Sequence, residues 1–313
     1  MFPRAPRIAV LVAAASLLAG AATARQIRVN VSNFAFSPTT VTVNAGDHVV
    51  WVWTGGTHNV VSGDGLNIVP DGLFTSGNVA AAPTTFSWKS TGVASQGYYC
   101  ELHAPSMTGT VNVVASGAGG LSDFRVTEVQ FNAAGNLDLI EIANLGTASG
   151  NLGRYRLAVS GFATQTLQIG TSPDLAVPAG AHVVIHCNTT GTNTTTNLFL
   201  PAITDLPATG SVALYVPNTS QTSLALASQV IDFVQWGAGG QANEATAVSA
   251  GLWASNAAVL GVAAGHSIEF CGQPGQYGVA EWHEISTPTF GSDGNCATPT
   301  FSTTWGRIKT LHR

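Results

Sequence analysis

The chain has few charged residues and almost no lysine. Only 9% of its 313 residues are charged, and Lys89 and Lys309 are its two lysines. Acidic side chains outnumber basic ones by 16 to 11, which gives a formal net charge of −5. Because nucleic acids and anionic lipid surfaces bind basic patches, this charge balance argues against both as partners.

The chain also lacks long segments with helical periodicity. Apolar residues do not recur at intervals of three and four over any extended stretch, so helices should be few and short. Short runs of Val, Thr, Phe and Trp are instead separated by Gly, Asn, Pro and Ser. This pattern predicts an all-β fold, and at roughly 150 residues per domain the chain is long enough for about two β-sandwiches.

One run is both long and apolar, and it stands near the N-terminus. Residues 8–19 are apolar except for Ser16, follow Arg4 and Arg7, and precede the small residues Ala22-Thr23-Ala24. This is the pattern of a signal peptide, which we predict over residues 1–24. Cleavage would leave 9 basic and 16 acidic side chains, a net charge of −7. The prediction implies export to the periplasm or outside the cell, with no membrane span in the mature chain. An uncleaved anchor is the alternative, although a spanning helix needs about 20 apolar residues.

Cysteine is scarce, and the four cysteines do not form an obvious framework. Export would place them in an oxidising compartment, where four cysteines could pair in three ways. Cys271 and Cys296 flank a glycine-rich loop and are the predicted pair. Cys187 ends the apolar run 183–187 and is predicted to be a buried free thiol. Cys100 is left for another role.

Cys100, His103 and Met107 lie within eight residues, and Met107 is the only methionine after the predicted signal peptide. Two strands joined by a short loop would direct a thiolate, an imidazole and a thioether at one point. These ligand types suit copper in an electron-transfer site. His58 follows a Gly-Gly turn at a strand end and could supply the second imidazole. Taken singly, His58 could be an ordinary loop histidine and Cys100 a buried thiol.

Residues 25–115 resemble the type 1 (blue) copper proteins of the plastocyanin/azurin, or cupredoxin, family. The resemblance rests on Val43-Asn44-Ala45-Gly46-Asp47 before Trp51-Val52-Trp53, on Thr57-His58-Asn59-Val60, and on Tyr99-Cys100-Glu101-Leu102-His103 with Met107 and Gly109. It implies a Greek-key β-sandwich that binds one mononuclear copper through His58, Cys100 and His103, with Met107 as the axial ligand. Three residues separate His103 from Met107, where plastocyanin-like members usually have four, and this loop length affects the site's potential.

Three neighbouring residues also receive predictions. Asn59 is expected to tie the His58 strand to the Cys100 loop, as outer residues do in metal sites. Glu101 should point away from the site by strand alternation and have no role. His48 is expected to be structural or exposed.

The segment Ser116-Gly117-Ala118-Gly119-Gly120 predicts a flexible linker at residues 116–120. A second domain is predicted over residues 121–296 and a loosely ordered tail over 297–313. Residues 121–272 resemble the lamin-tail domain, an immunoglobulin-like β-sandwich. The matching segments are Thr127-Glu128-Val129, Asp138-Leu139-Ile140-Glu141-Ile142-Ala143-Asn144, Val177-Pro178-Ala179-Gly180 and Ile231-Asp232-Phe233-Val234-Gln235-Trp236-Gly237. The family shares no catalytic residues, so the resemblance implies an interaction or scaffolding module with a protein or surface ligand.

A second metal site is a further alternative in this region. His182 and His186 are four residues apart on one predicted strand face, and Glu281-Trp282-His283-Glu284 groups acids with a histidine. The simpler interpretation is that these are polar residues on solvated faces.

The resemblance favours a one-electron carrier that cycles between Cu(II) and Cu(I). A redox partner would dock near His103, beside Ala104 and Pro105. A copper oxidase or nitrite reductase would need further copper sites, typically built from His-x-His pairs, and the chain has none. We therefore predict that the protein is not an enzyme. A structural or adhesive surface protein, in which copper is incidental, is the alternative.

Overall fold

The fold is described from a computed structural model. The structure describes residues 26–114 and 122–294, except residues 132, 134, 136–137, 160–163, 171, 173, 220–221 and 273–275. The predicted signal peptide, linker and C-terminal tail lie outside the described residues, as does Cys296. Among the residues that are described, no helix is long and apolar enough to cross a membrane.

Residues 26–114 form a β-sandwich, as the short runs of Val, Thr, Phe and Trp predicted. Its strands are β1 (Gln26–Ser32), β2 (Ala35–Ser37), β3 (Thr40–Asn44), β4 (His48–Trp53), β5 (Thr57–His58), β6 (Val61–Asp64), β7 (Val69–Thr75), β8 (Ala80–Ala81), β9 (Thr85–Lys89), β10 (Ala94–Tyr99) and β11 (Thr108–Val114). One sheet has the order β2-β1-β4-β9, and the other has the order β3-β11-β10-β6-β7. The β1–β4 and β3–β11 pairs are parallel.

Aromatic side chains fill the space between these two sheets. Trp51 stacks on Phe86 with ring centroids 5.5 Å apart and meets Tyr98 edge-on at 5.2 Å. Phe36 meets the same Tyr98 ring at 4.8 Å. Such pairs stabilise a core beyond the area they bury. They join β4 to β10, the strand that Cys100 directly follows.

Residues 122–294 form a second β-rich unit with its own core. Its strands are β12 (Phe124–Gln130), β13 (Leu139–Asn144), β14 (Gly150–Asn151), β15 (Arg156–Val159), β16 (Gln165–Thr166), β17 (Ala176–Val177), β18 (His182–Cys187), β19 (Asn197–Leu200), β20 (Gly210–Tyr215), β21 (Val230–Trp236), β22 (Ser267–Phe270) and β23 (Trp282–Ile285). A six-stranded sheet has the order β19-β18-β13-β12-β22-β23, and a four-stranded sheet has the order β16-β15-β20-β21. The helical elements of the described chain are one short helix, α1 (Glu244–Ser249), and a 3-10 turn, Val279–Glu281.

Strand β4 is buried on both faces. Trp51 and Trp53 point into the core of the first sandwich, whereas Val50 and Val52 join the apolar core of residues 122–294. The second unit therefore covers the outer face of the β2-β1-β4-β9 sheet. Polar contacts follow the same face, and Nε2 of His48 donates to the carbonyl oxygen of Ser228 at 2.6 Å. His48 is thus a structural residue of the interface between the two units.

The cysteines agree with the predicted roles as far as they are described. Cys100 and Cys187 carry free thiols and are buried. Burial raises the pKa of the Cys187 thiol to about 12, so this thiol stays protonated and unreactive at neutral pH. Cys271 is disulfide-bonded. Its predicted partner, Cys296, lies outside the described residues.

Candidate metal centre

His58 reaches the site from the turn that follows β4. The segment Thr54-Gly55-Gly56 ends the strand, and Gly56 adopts φ +77°, a conformation that favours glycine. The chain then re-enters the sandwich as β5, which ends at His58. Nε1 of Trp53 donates to the carbonyl oxygen of His58 at 3.0 Å. This bond holds the histidine backbone against the core.

Cys100 and His103 belong to the loop that joins β10 to β11. Cys100 follows the last residue of β10, and its backbone N–H donates to the carbonyl oxygen of Met107 at 3.1 Å. The N–H of His103 donates to the Cys100 carbonyl oxygen, and the N–H of Met107 donates to that of His103, both at 3.1 Å. These bonds fold the loop tightly, so that its ends meet at the rim of the sandwich.

The two segments bring three potential ligand atoms together. Sγ of Cys100 lies 3.4 Å from Nδ1 of His103 and 3.9 Å from Nδ1 of His58. The two Nδ1 atoms are 3.1 Å apart. Metal–nitrogen and metal–sulfur distances, such as those of Zn²⁺, are about 2.0 and 2.3 Å. Donor atoms at such distances from one ion lie 3–4 Å from each other, so the cluster fits a single metal ion.

The donor types and their burial also suit copper. One thiol and two imidazoles are the trigonal set of blue-copper sites. His58 and Cys100 are fully buried, whereas His103 is half-buried. Burial, and then the nearby His103, lower the pKa of His58. A lowered pKa favours the neutral imidazole, which is the form that binds metal ions.

Met107 is buried in the same apolar cluster as Cys100. Its position at the end of the ligand loop is compatible with an axial contact. The axial role itself stays a prediction.

The predicted link between the histidine and cysteine segments is present. Asn59 is buried, and its Oδ1 accepts a hydrogen bond from the Glu101 backbone N–H at 2.9 Å. Its Nδ2 donates to Oε2 of Glu101 at 2.6 Å and to the Gly77 carbonyl oxygen at 3.1 Å. The prediction that Glu101 has no role was therefore wrong. Strand β10 ends at Tyr99, so strand alternation does not apply to Glu101, which lies in a turn.

Two residues of the β1–β2 turn were not predicted to take part. Asn33 Oδ1 lies 3.1 Å from Nε2 of His58. The exposed ring of Phe34 meets the His103 ring edge-on, with centroids 4.7 Å apart, and lies 6.3 Å from the His58 ring. No local spacing links this turn to the ligands, because it precedes His58 by about 25 residues.

The alternative metal site on β18 does not form. Nδ1 of His182 lies 2.9 Å from Oε1 of Glu141, and this carboxylate, with Asp293, raises the pKa of His182. Nε2 of His186 instead bonds Oδ1 of Asn197 at 2.8 Å. Within the described parts of the chain, His58, Cys100 and His103 are the one group of three close metal-ligand side chains of these types.

Residues 23–114 match the family model of the copper-binding proteins of the plastocyanin/azurin family. Among solved structures, plastocyanin from Dryopteris crassirhizoma is 24% identical, covers 28% of this chain and 100% of its own, and has a TM-score of 0.24. The purple cupredoxin from Nitrosopumilus maritimus is 22% identical. The match covers 28% of this chain and 98% of the cupredoxin, with a TM-score of 0.25. Amicyanin from Paracoccus versutus is 23% identical. The match covers 28% of this chain and 81% of amicyanin, with a TM-score of 0.24. No curated protein matches the chain. Copper is therefore the cofactor of residues 23–114, the part of the chain that matches the plastocyanin/azurin family and that brings together His58, Cys100 and His103.

Proposed function

We propose that this protein is an exported blue copper protein that transfers single electrons between redox partners. The convergence of the Cys100 thiol with Nδ1 of His58 and of His103 is the observation that carries the proposal. The bound copper supplies one-electron chemistry by cycling between Cu(II) and Cu(I). Met107 is proposed as the axial ligand, which tunes the potential in sites of this kind.

The chain's own residues hold this ligand set in place. The thiol and the two imidazoles are fixed by β5, by the end of β10 and by the hydrogen-bonded loop before β11. The aromatic core and the Asn59–Glu101 contact join these segments. A ligand set held in this way would change its geometry little between the two oxidation states of a bound copper, and a small change favours rapid electron transfer.

Electrons are proposed to enter and leave beside His103, the least buried of the three ligands. Phe34 and Leu102 are 62% and 58% exposed next to it, and Pro105 is exposed in the same loop. Together these apolar residues give a small docking patch for an unidentified redox protein. Small interfaces suit transient electron-transfer encounters.

A spectroscopic experiment on the full-length chain tests the proposal. The protein loaded with Cu(II) should show an intense thiolate-to-copper charge-transfer band in the visible region. The band should disappear on addition of a one-electron reductant and return on reoxidation. Cys100→Ser should abolish it, whereas Cys187→Ser, which removes the other buried free thiol, should leave it unchanged. A colourless wild-type protein that takes up no copper would refute the proposal.

We propose an electron carrier rather than a copper oxidase or nitrite reductase because the chain has no His-x-His pair. The reduced protein should give up one electron per copper and should not turn over oxygen or nitrite. Repeated turnover of either substrate would favour the enzyme instead.

Residues 121–296 are proposed to be a lamin-tail-like, immunoglobulin-fold interaction module. Its described part has two large sheets around one apolar core, an arrangement that supports the proposal. Residues 1–24 are proposed to direct export and then to be cleaved off, and the N-terminal sequence of the secreted protein, expected to begin at Arg25, tests this.

A further inference from the structure

We propose that the side chain of Asn33 positions the copper ligand His58 by accepting a hydrogen bond from its Nε2–H, which fixes the imidazole tautomer that directs the Nδ1 lone pair at the metal. The inference rests on the proposed copper site. The contact that carries it lies within the polypeptide and can be tested without metal.

The position of the single proton on the neutral His58 ring decides which nitrogen can bind a metal. A neutral imidazole carries one N–H and one lone pair. Nδ1 of His58 faces Sγ of Cys100 at 3.9 Å and Nδ1 of His103 at 3.1 Å, so Nδ1 is the atom on the ligand side. To ligate a metal, Nδ1 must present its lone pair. The proton must then sit on Nε2.

The Nε2 proton of His58 has an acceptor in the β1–β2 turn. His58 is fully buried, and a buried N–H needs an acceptor. Oδ1 of Asn33 lies 3.1 Å from Nε2. Metal-ligating histidines almost always donate their other N–H to an acceptor that fixes the ring. Here a side-chain amide from the β1–β2 turn serves as that acceptor.

The contact between Asn33 and His58 occupies space that Gly56 leaves open. A Cβ built on Gly56 would overlap both Oδ1 of Asn33 and Nε2 of His58. The glycine therefore does more than form the turn after β4, because it leaves open the volume in which the amide and the ring meet. Asn33 itself is exposed, so its replacement should not disturb the core.

The tautomer can be read directly in the metal-free, full-length protein. Two-bond ¹H–¹⁵N spectra at about pH 8, where an ordinary histidine is neutral, distinguish the Nε2–H form from the Nδ1–H form. The signal of His58 is assigned by its loss in His58→Gln. We expect the Nε2–H form in the wild type and a mixture of both forms in Asn33→Leu. An Nδ1–H form in the wild type would overturn the proposal.

Copper binding gives the second measurement. Asn33→Leu should lower the affinity for Cu(II) by about 10- to 100-fold, the usual effect of removing such a partner. Asn33→Asp keeps an acceptor and should restore the Nε2–H tautomer. Its carboxylate should also lower the reduction potential, because a more basic imidazole stabilises Cu(II). An unchanged affinity and tautomer in Asn33→Leu would refute the positioning role.

Two glycine variants form a matched pair. Gly56→Ala should disturb the contact and weaken copper binding. Gly72→Ala has the same φ of +77° but open space around the new Cβ, so it carries the backbone strain without the clash. Equal losses of affinity in both variants would contradict the proposal.

The outcomes separate this inference from the proposed function. If Asn33→Leu changes the tautomer but the wild type binds no copper, the positioning role stands and the copper function fails. If copper binds with its charge-transfer band and Asn33→Leu alters neither tautomer nor affinity, the function stands and the positioning role fails.

Discussion

The side chain of Asn59 and residue Glu101 are joined by two hydrogen bonds, one to the Glu101 backbone N–H at 2.9 Å and one to its carboxylate at 2.6 Å. The pair links the residue after His58 to the residue after Cys100. The two distant segments that carry the ligands are thereby joined by contacts of the polypeptide itself.

Replacement of Asn59 by alanine should destabilise the metal-free protein. The substitution removes the hydrogen bonds that the buried Asn59 side chain makes to Glu101 and Gly77, and each such bond contributes about 0.5–1.5 kcal/mol. Urea unfolding of the full-length chain would measure the loss. Glu101→Gln keeps the backbone bond and an acceptor for Nδ2, so its free energy of unfolding should stay closer to that of the wild type. An Asn59→Ala variant as stable as the wild type would show that the contact is dispensable.

Replacement of Met107 should change the reduction potential while the colour remains. Met107→Leu preserves buried volume but removes the thioether, so Cu(II) loses a weak donor and the potential should rise. Met107→Gln offers an oxygen donor instead and should shift the potential downward. Voltammetry and visible spectra of the copper-loaded variants would measure both effects. Equal potentials in all three proteins would exclude Met107 as the axial ligand.

The ligand cluster was predictable because short-range spacing determines much of it. Cys100 and His103 lie in one loop, so their spacing brings them together, whereas His58, 42 residues before Cys100, was assigned from its place at a strand end together with the family resemblance. Asn33 could not be found in this way, since it reaches His58 only through the packing of the β1–β2 turn. Glu101 was misjudged because the sequence does not show that β10 ends one residue before Cys100.

The Val- and Trp-rich run of β4 was also only partly informative. It predicted a strand, and the tryptophans do point into the first core. It did not show that the other face of β4 is covered by residues such as Ser228, which lies 180 positions after His48. Contacts of such long range depend on how two folded units dock, and no local pattern encodes them.

Replacement of Val52 should test this docking. Val52 is 2% exposed on the face of β4 that the second unit covers, whereas Val93 is 65% exposed. Val52→Ala removes two buried carbons and leaves a small cavity, which should lower the free energy of unfolding of the full-length chain by about 2–3 kcal/mol. Val93→Ala makes the same chemical change at the surface and should have little effect. Similar stabilities in the two variants would argue against a packed interface.

His48 should make the stability of the metal-free protein depend on pH. Burial lowers the pKa of His48 to about 4, although its bond to the Ser228 carbonyl oxygen opposes this shift; the neighbouring Lys89 lowers the pKa further. Between about pH 6.5 and 4 the unfolded chain binds a proton here that the folded chain does not. The stability that comes from burying a neutral His48 is therefore fully present above about pH 6.5. It is lost on acidification, by at most about 1.4 kcal/mol of the free energy of unfolding per pH unit.

The measurement is a series of urea unfolding curves across this pH range for wild type and for His48→Gln. Glutamine retains a donor for the Ser228 carbonyl oxygen but cannot become charged, so the variant should lose stability less steeply on acidification. His58 titrates in both proteins, and the difference between their slopes therefore reports His48 alone. His266→Gln changes a half-exposed histidine away from the interface, next to Glu284, and serves as the control for removal of a histidine. If His48→Gln and the wild type lost stability equally from pH 6.5 to 4, His48 would not be held neutral between the two units.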